Sequence, residues 1–407
     1  MPPFRDTRAM PERSSQQEKS SSLNRPLWAL MTGNFVIGTG VMAVPGTLND
    51  ISRSLDVSIP HAGQLITAGA IVMGVGAPLF AMLVAGWDRR RLLSLVMLWY
   101  AVFLGLCALA PGYGSLLPLR VLAVIPPAIF TPQAAASVGL LVPPHLRGRA
   151  ITFVFLGWSV ASVLGMPLAS WIGGHLGWRW AFGLTALMAL LSALWVYTAL
   201  PDGIRPPALN RQAWAGALRS APLMLAVAVT LVSAFGQFTL FAYFAPYLDQ
   251  MLHLSPDRIS LLFLWFGAFG LLGNMLLSRQ IDRVGPPRAV AVTLGLMVVT
   301  VALWPLGTHA WWLQALVMVP WGLGCFASNS AQQARLVQMS PWLAPATVAL
   351  NTSAIYGGQA MGSALGGLLI ARGGLQEIHA WCLALLTGAI ALSVWAARLQ
   401  KRSPMPS

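Results

Sequence analysis

The chain has 407 residues, of which 57% are hydrophobic and only 9% charged. A soluble domain carries roughly a quarter charged residues, so the composition excludes a soluble enzyme, a disordered protein and a secreted disulfide scaffold. The formal net charge of +14 is spread over many short basic patches and forms no single stripe, which argues against nucleic acid as a partner.

A membrane helix needs about 20 mostly apolar residues. Twelve such segments can be read in chain order: 27–48, 62–84, 92–111, 116–139, 150–173, 178–199, 222–247, 259–279, 289–308, 311–335, 345–371 and 379–397. Lipid offers no partner for free backbone groups, so each must be helical. A barrel is excluded because the runs are too long and lack period-two alternation. Residues 1–26 are polar and Ser-rich. They read as a disordered N-terminal tail, and the long apolar run after them argues against a cleavable leader. Residues 398–407 read as a short C-terminal tail.

The twelve spans divide six and six. The division falls in 200–221, PDGIRPPALNRQAWAGALRSAP, a polar and basic stretch. The expected domains are therefore a bundle at 27–199, a linker at 200–221 and a second bundle at 222–397. Twenty of the 25 Lys and Arg residues fall on one side of this topology and four on the other, with Arg120 inside a span. By the positive-inside rule both termini and the linker face the cytoplasm. The loops after spans two and eight echo each other: Asp88-Arg89-Arg90-Arg91 in the first half, Asp282-Arg283-Val284-Gly285 in the second. Two similar halves of this kind build transporters that rock about a site between them.

Charged and polar residues at membrane depth are costly and therefore informative. Arg120 is the one charged residue read inside a span; it is either a cavity charge or a side chain snorkelling to the interface. No carboxylate lies at mid-span. Asp50 and Asp249, at the outer ends of spans one and seven, are the nearest acids, and the alternative is that both are ordinary loop residues. Asn34, Gln133, Gln237, Tyr243, Asn329, Gln332, Asn351, Tyr356 and Gln359 are uncharged polar residues within spans. They line a cavity or tie helices together. Phe235, Phe238, Phe241, Phe244, Trp265 and Phe266 are candidates for a greasy pocket, with packing as the alternative. The six His form no metal-binding pair, and Cys107, Cys325 and Cys382 lie far apart in apolar runs, so neither a metal nor a disulfide is expected. No nucleotide loop or nucleophile elbow occurs, so neither a cofactor nor enzymatic chemistry is expected.

These features resemble the major facilitator superfamily, and most closely its bacterial drug–proton antiporter branch, which includes sugar-efflux-type permeases. The loops carrying Asp88-Arg89 and Asp282-Arg283-Val284-Gly285 resemble the family's cytoplasmic gating motif; the first copy lacks the Gly turn. Arg120-Val121-Leu122-Ala123 resembles the family's intramembrane Arg motif. Gly157 and Gly165-Met166-Pro167 resemble the antiporter signature, with Gly165 and Pro167 forming its kink. Gly177-Trp178-Arg179 and Gln332-Gln333-Ala334-Arg335 also fit. The resemblance implies an all-α fold of twelve transmembrane helices in two six-helix bundles, with spans one, four, seven and ten around the cavity. It implies a monomeric exporter of small organic compounds in a bacterial inner membrane, working by alternating access with protons as coupling ion. Uptake or uniport of a metabolite is the alternative within transport, and a non-transporting membrane sensor is the alternative of another class.

Overall fold

The computed structural model describes residues 11–84, 86–143, 147–205, 215–216, 218–340 and 344–402. It contains helices and no strand among those residues. The first bundle comprises α1 (Pro11–Ser54), α2 (Ile59–Leu83), α3 (Arg89–Ala108), α4 (Tyr113–Ala123), α5 (Ile125–Leu141), α6 (Arg147–Val160), α7 (Met166–Leu176) and α8 (Trp178–Ala199). The second comprises α9 (Ala221–Phe241), α10 (Phe244–Leu252), α11 (Pro256–Val284), α12 (Pro286–Gly307), α13 (Trp311–Met339), α14 (Ala344–Ala371) and α15 (Ile378–Arg402). Eleven crossings among the described residues are long and apolar enough to traverse a membrane. The twelfth is α13, whose 29 residues are long enough to cross and carry Gln314, Asn329, Gln332, Gln333 and Arg335.

Helix α1 begins at Pro11, so 11–26 are helical and not the disordered tail expected from their polarity. The stretch has no Gly and is rich in Glu, Gln, Lys and Ser, residues that tolerate a helix once an apolar run nucleates it. Span four is two helices, α4 and α5, meeting at Val124. Pro126 and Pro127 cannot donate to the preceding turn, and the ladder breaks there. Span seven breaks at Ala242–Tyr243, between α9 and α10. In span five, α6 and α7 are joined by a π turn, Ala161–Gly165, directly before Pro167. Such single-turn bulges are recognised sites of helix kinking.

The outward faces are apolar: Leu109 is 78% exposed and Leu194 64%, as expected of side chains whose solvent is lipid. Within the bundles, helices approach closely through small residues. A Cβ on Gly358 would meet the Leu231 carbonyl at 2.4 Å, and one on Gly362 the Phe235 carbonyl at 2.5 Å; α14 therefore lies hard against α9.

An even number of crossings places both described chain ends on one side. The seam between the bundles is closed away from that side. There α2 packs along α14, α10 meets α1, and α7 and the π turn meet α11. Helix α6, the half of span five on the terminus side, makes no comparable contact with the second bundle.

Candidate functional site

Where the closed seam ends, at mid-depth, both bundles line a narrow cleft of about 40 Å³. The first bundle contributes Met42 of α1, Ser162 of the π turn and Met166 of α7. The second contributes Gln237, Phe238 and Phe241 of α9, Phe266 of α11, and Cys325 and Phe326 of α13. Phe241 stacks obliquely on Phe266, with centroids 5.4 Å apart, and Phe266 faces Phe326 at 6.3 Å. Gln237 Nε2 donates to Cys325 Sγ at 2.6 Å, linking spans seven and ten across the floor of the cleft. One helical turn from Cys325 toward the terminus side, Asn329 is exposed, with Gln333 Nε2 donating to its Oδ1 at 3.4 Å. The cleft therefore opens toward the side of the chain ends.

Of the six aromatic candidates, Phe238, Phe241 and Phe266 line the cleft. Phe244 packs instead with Phe263, Trp304 and Trp321 inside the second bundle. Trp265 is 39% exposed and donates Nε1 to the Ala315 carbonyl at 3.0 Å. Trp265 and Phe266 part ways because consecutive residues in α11 point about 100° apart.

Most of the buried polar residues serve packing. Asn34 donates Nδ2 to the Val154 carbonyl at 3.1 Å and accepts from Thr131 Oγ1 at 2.8 Å. Trp158 Nε1 donates to the same threonine oxygen at 3.1 Å, so Asn34 binds span one to spans four and five. The second bundle uses the same device: Thr230 Oγ1 donates to Asn351 Oδ1 at 2.6 Å, and Gln332 Nε2 donates to the Ala226 carbonyl at 2.5 Å. Tyr243, at the break in span seven, is 1% exposed and donates to the Ser363 carbonyl at 2.7 Å. Gln133 is buried in α5 and is not part of the cleft lining.

Arg120 is 3% exposed. It is neither in the cleft nor at the interface. Its guanidinium sits inside the first bundle, beside the Tyr100 hydroxyl and 5.9 Å from the centroid of Phe182. Its Nε and Nη1 have no hydrogen-bond partner among the described residues. Sequence reasoning missed two further buried guanidiniums, Arg335 and Arg89. Arg335, read as a loop charge, is 1% exposed and donates to Ser393 Oγ at 3.0 Å. The span was drawn to end at 335, whereas α13 runs on to Met339.

The loop after span two does not reach the second bundle. Asp88 caps α3, accepting from the Arg91 amide at 3.3 Å, and its other oxygen accepts from the Gly203 amide at 2.6 Å. Arg90 pairs with Asp202 at 2.7 Å. Arg89, read as part of the gating loop, is 2% exposed and donates Nη1 to the Val84 and Trp87 carbonyls, both at 2.9 Å. The loop is thus clasped to the start of the linker. In the second copy, Arg283 is exposed and the Asp282 side chain lies outside the described residues. Gly285 turns α11 into α12 at φ +80°, a conformation that favours glycine. Gly165 packs against Thr39 of α1 and ends the π turn, and Pro167 lies in the first turn of α7. Among the described residues no cluster of His, Cys, Asp or Glu could hold a metal.

A sequence model of the Major Facilitator Superfamily matches residues 30–341 and 226–407. The chain belongs to the major facilitator superfamily. Among curated relatives, the inner membrane transport protein YdhP of Escherichia coli (strain K12) is 32% identical over 354 residues, covering 86% of this chain and 90% of that protein. A probable sugar efflux transporter of Helicobacter pylori (strain HPAG1) is 28% identical over 347 residues, covering 84% and 88%. Among solved structures, a D-xylose–proton symporter superposes with a TM-score of 0.75 at 15% identity, covering 91% of this chain and 96% of that one. The two six-helix bundles are thus those of a multi-pass transporter of this superfamily.

Proposed function

We propose that the protein exports small organic compounds, of drug or metabolite size, across a bacterial inner membrane by alternating access, as a monomer and by proton antiport. The observation that carries this reading is the cleft at mid-depth, lined from both bundles, with the seam shut on one side and open on the other. A site between two rocking bundles is accessible to one side at a time. The distribution of Lys and Arg supports a cytoplasmic open side, and on that reading the state described is one that loads from inside. The linker at 200–221 joins the bundles at 27–199 and 222–397.

The π turn before Pro167 lies at the inner edge of the closed seam and supports a pivot there. The cleft lining, six of nine residues aromatic or thioether, supports amphipathic substrates, with Gln237 as the hydrogen-bonding group inside it. The sugar efflux relative makes sugars one arm of the substrate panel. Arg120 is proposed as the coupling residue of the first bundle: a guanidinium in a span costs roughly 2.5–3.5 kcal/mol on insertion scales, and with Nε and Nη1 unpaired among the described residues the Tyr100 and Phe182 contacts offset only part of it. Substrate-driven proton efflux from proteoliposomes carrying a pH dye tests antiport. Arg120→Lys is expected to keep coupled flux and Arg120→Ala to abolish it with expression unchanged; normal coupling in Arg120→Ala removes the assignment. Uniport is favoured by one observation, that no carboxylate lines the cleft among the described residues. Substrate flux that ignores an imposed pH gradient would select it. A sensor would show no flux of any compound.

A further inference from the structure

Among the described residues, one ion pair and one histidine–aspartate contact cross the closed side of the seam, and neither lines the cleft. Arg53, in the last turn of α1, pairs with Asp249 of α10. His175, in the last turn of α7, lies 3.4 Å from Asp257 in the first turn of α11. Each joins one bundle to the other, so the bundles cannot part on this side without separating both. Arg53 has a second carboxylate within reach: Asp50, three residues back on its own helix, where side chains share a face. Arg53, Asp50 and Asp249 interact electrostatically as a group. Asp50 and Arg53 border a cavity of about 490 Å³, which leaves the arginine side chain room to swing. The other cation there, Arg179, is held in place: it donates to Ser54 Oγ at 3.1 Å and to the Ala110 carbonyl at 2.9 Å.

We propose that Arg53 is the moving part of an exchange latch: it holds Asp249 across the seam while this side is shut and transfers to Asp50 of its own helix when it opens. The inference rests on the alternating-access reading. Asp50 keeps the arginine compensated after the bundles part, which lowers the electrostatic cost of opening. Asp249 and Asp257 favour the shut state; Asp50 favours the open one. These are positioning residues for the transport step and contact no substrate. An exposed pair changes an equilibrium by up to about fivefold.

The protein carries its own reporter. Cys325 lines the cleft, whereas Cys107 and Cys382 are fully buried within the bundles. In intact cells, a membrane-impermeant maleimide added to the closed side labels Cys325 only when that side opens. The expected result is a labelling rate raised up to about fivefold in Asp249→Asn, raised further in Asp249→Asn with Asp257→Asn, and lowered in Asp50→Asn. The reciprocal exchange Arg53→Asp with Asp249→Arg is expected to return labelling toward wild type. Gly267→Leu, which wedges the seam apart, serves as the forced-open control. Labelling in that control without a rise in Asp249→Asn overturns the latch. A rise in Asp50→Asn overturns the exchange, since simple damage to the seam would push every variant the same way. Absence of labelling even in the forced-open control overturns alternating access, and the latch with it.

Discussion

The two ends of the inter-bundle seam use the same side-chain chemistry for different purposes. On the closed side, Arg53–Asp249 and His175–Asp257 run from one bundle to the other. On the terminus side, Asp88–Gly203 and Arg90–Asp202 stay within the first bundle and the start of the linker. An ion pair can oppose rocking only where it spans the moving boundary. The arginine-rich loop after span two is bound to its own half here, while the opposite face carries the contacts that join the two bundles.

The largest expected effect comes from forcing the closed side. A Cβ at Gly267 would sit 2.7 Å from the Ser162 carbonyl oxygen and from the Val163 Cα, and backbone cannot yield as a flexible side chain does. Gly267→Leu is expected to abolish transport while the purified protein keeps its helical circular dichroism, because the clash lies between bundles and not within one. Retained transport would show that the seam is looser than its geometry. A smaller effect is expected from Asp88→Ala. It removes a helix cap, worth about 1 kcal/mol, and the hydrogen bond to Gly203. Limited proteolysis is expected to cut the linker several times faster, with far-side labelling of Cys325 unchanged; a change in that labelling would mean that the loop also acts across the seam. The smallest effect on transport is expected from Gly285→Ala. At φ +80° and ψ 139° an alanine is strained by roughly 1–3 kcal/mol, so a thermal melt should fall by several degrees with transport kinetics near wild type.

The breaks in the helices were partly legible. Gly165-Met166-Pro167 reads as a kink, and the structure has a π turn just before Pro167; span four reads as one helix, and the structure breaks it at Val124, beside Pro126-Pro127. The polar residues were legible as unusual and not as to role. Asn34 and Gln237 look alike in sequence, each an amide in the opening span of its half. One ties three helices together and the other faces the cleft beside Cys325. A helix face is defined only by its neighbours, and those neighbours are 120 residues away for Asn34 and 88 for Gln237. Arg335 was misplaced for a related reason: hydropathy marks where apolar residues run out, and a helix buried in protein continues past that point.

Chain chemistry alone determined that this protein crosses a membrane in twelve helices arranged as two sets of six. The cost of bare peptide groups in hydrocarbon leaves a run of some twenty apolar residues no other choice. Tertiary packing alone decided which side of the seam is shut, which aromatics meet at its centre, and that Arg53 faces an aspartate 196 residues away. Those outcomes depend on how two finished bundles lean on each other, and a balance between whole surfaces leaves no mark on any single stretch of sequence.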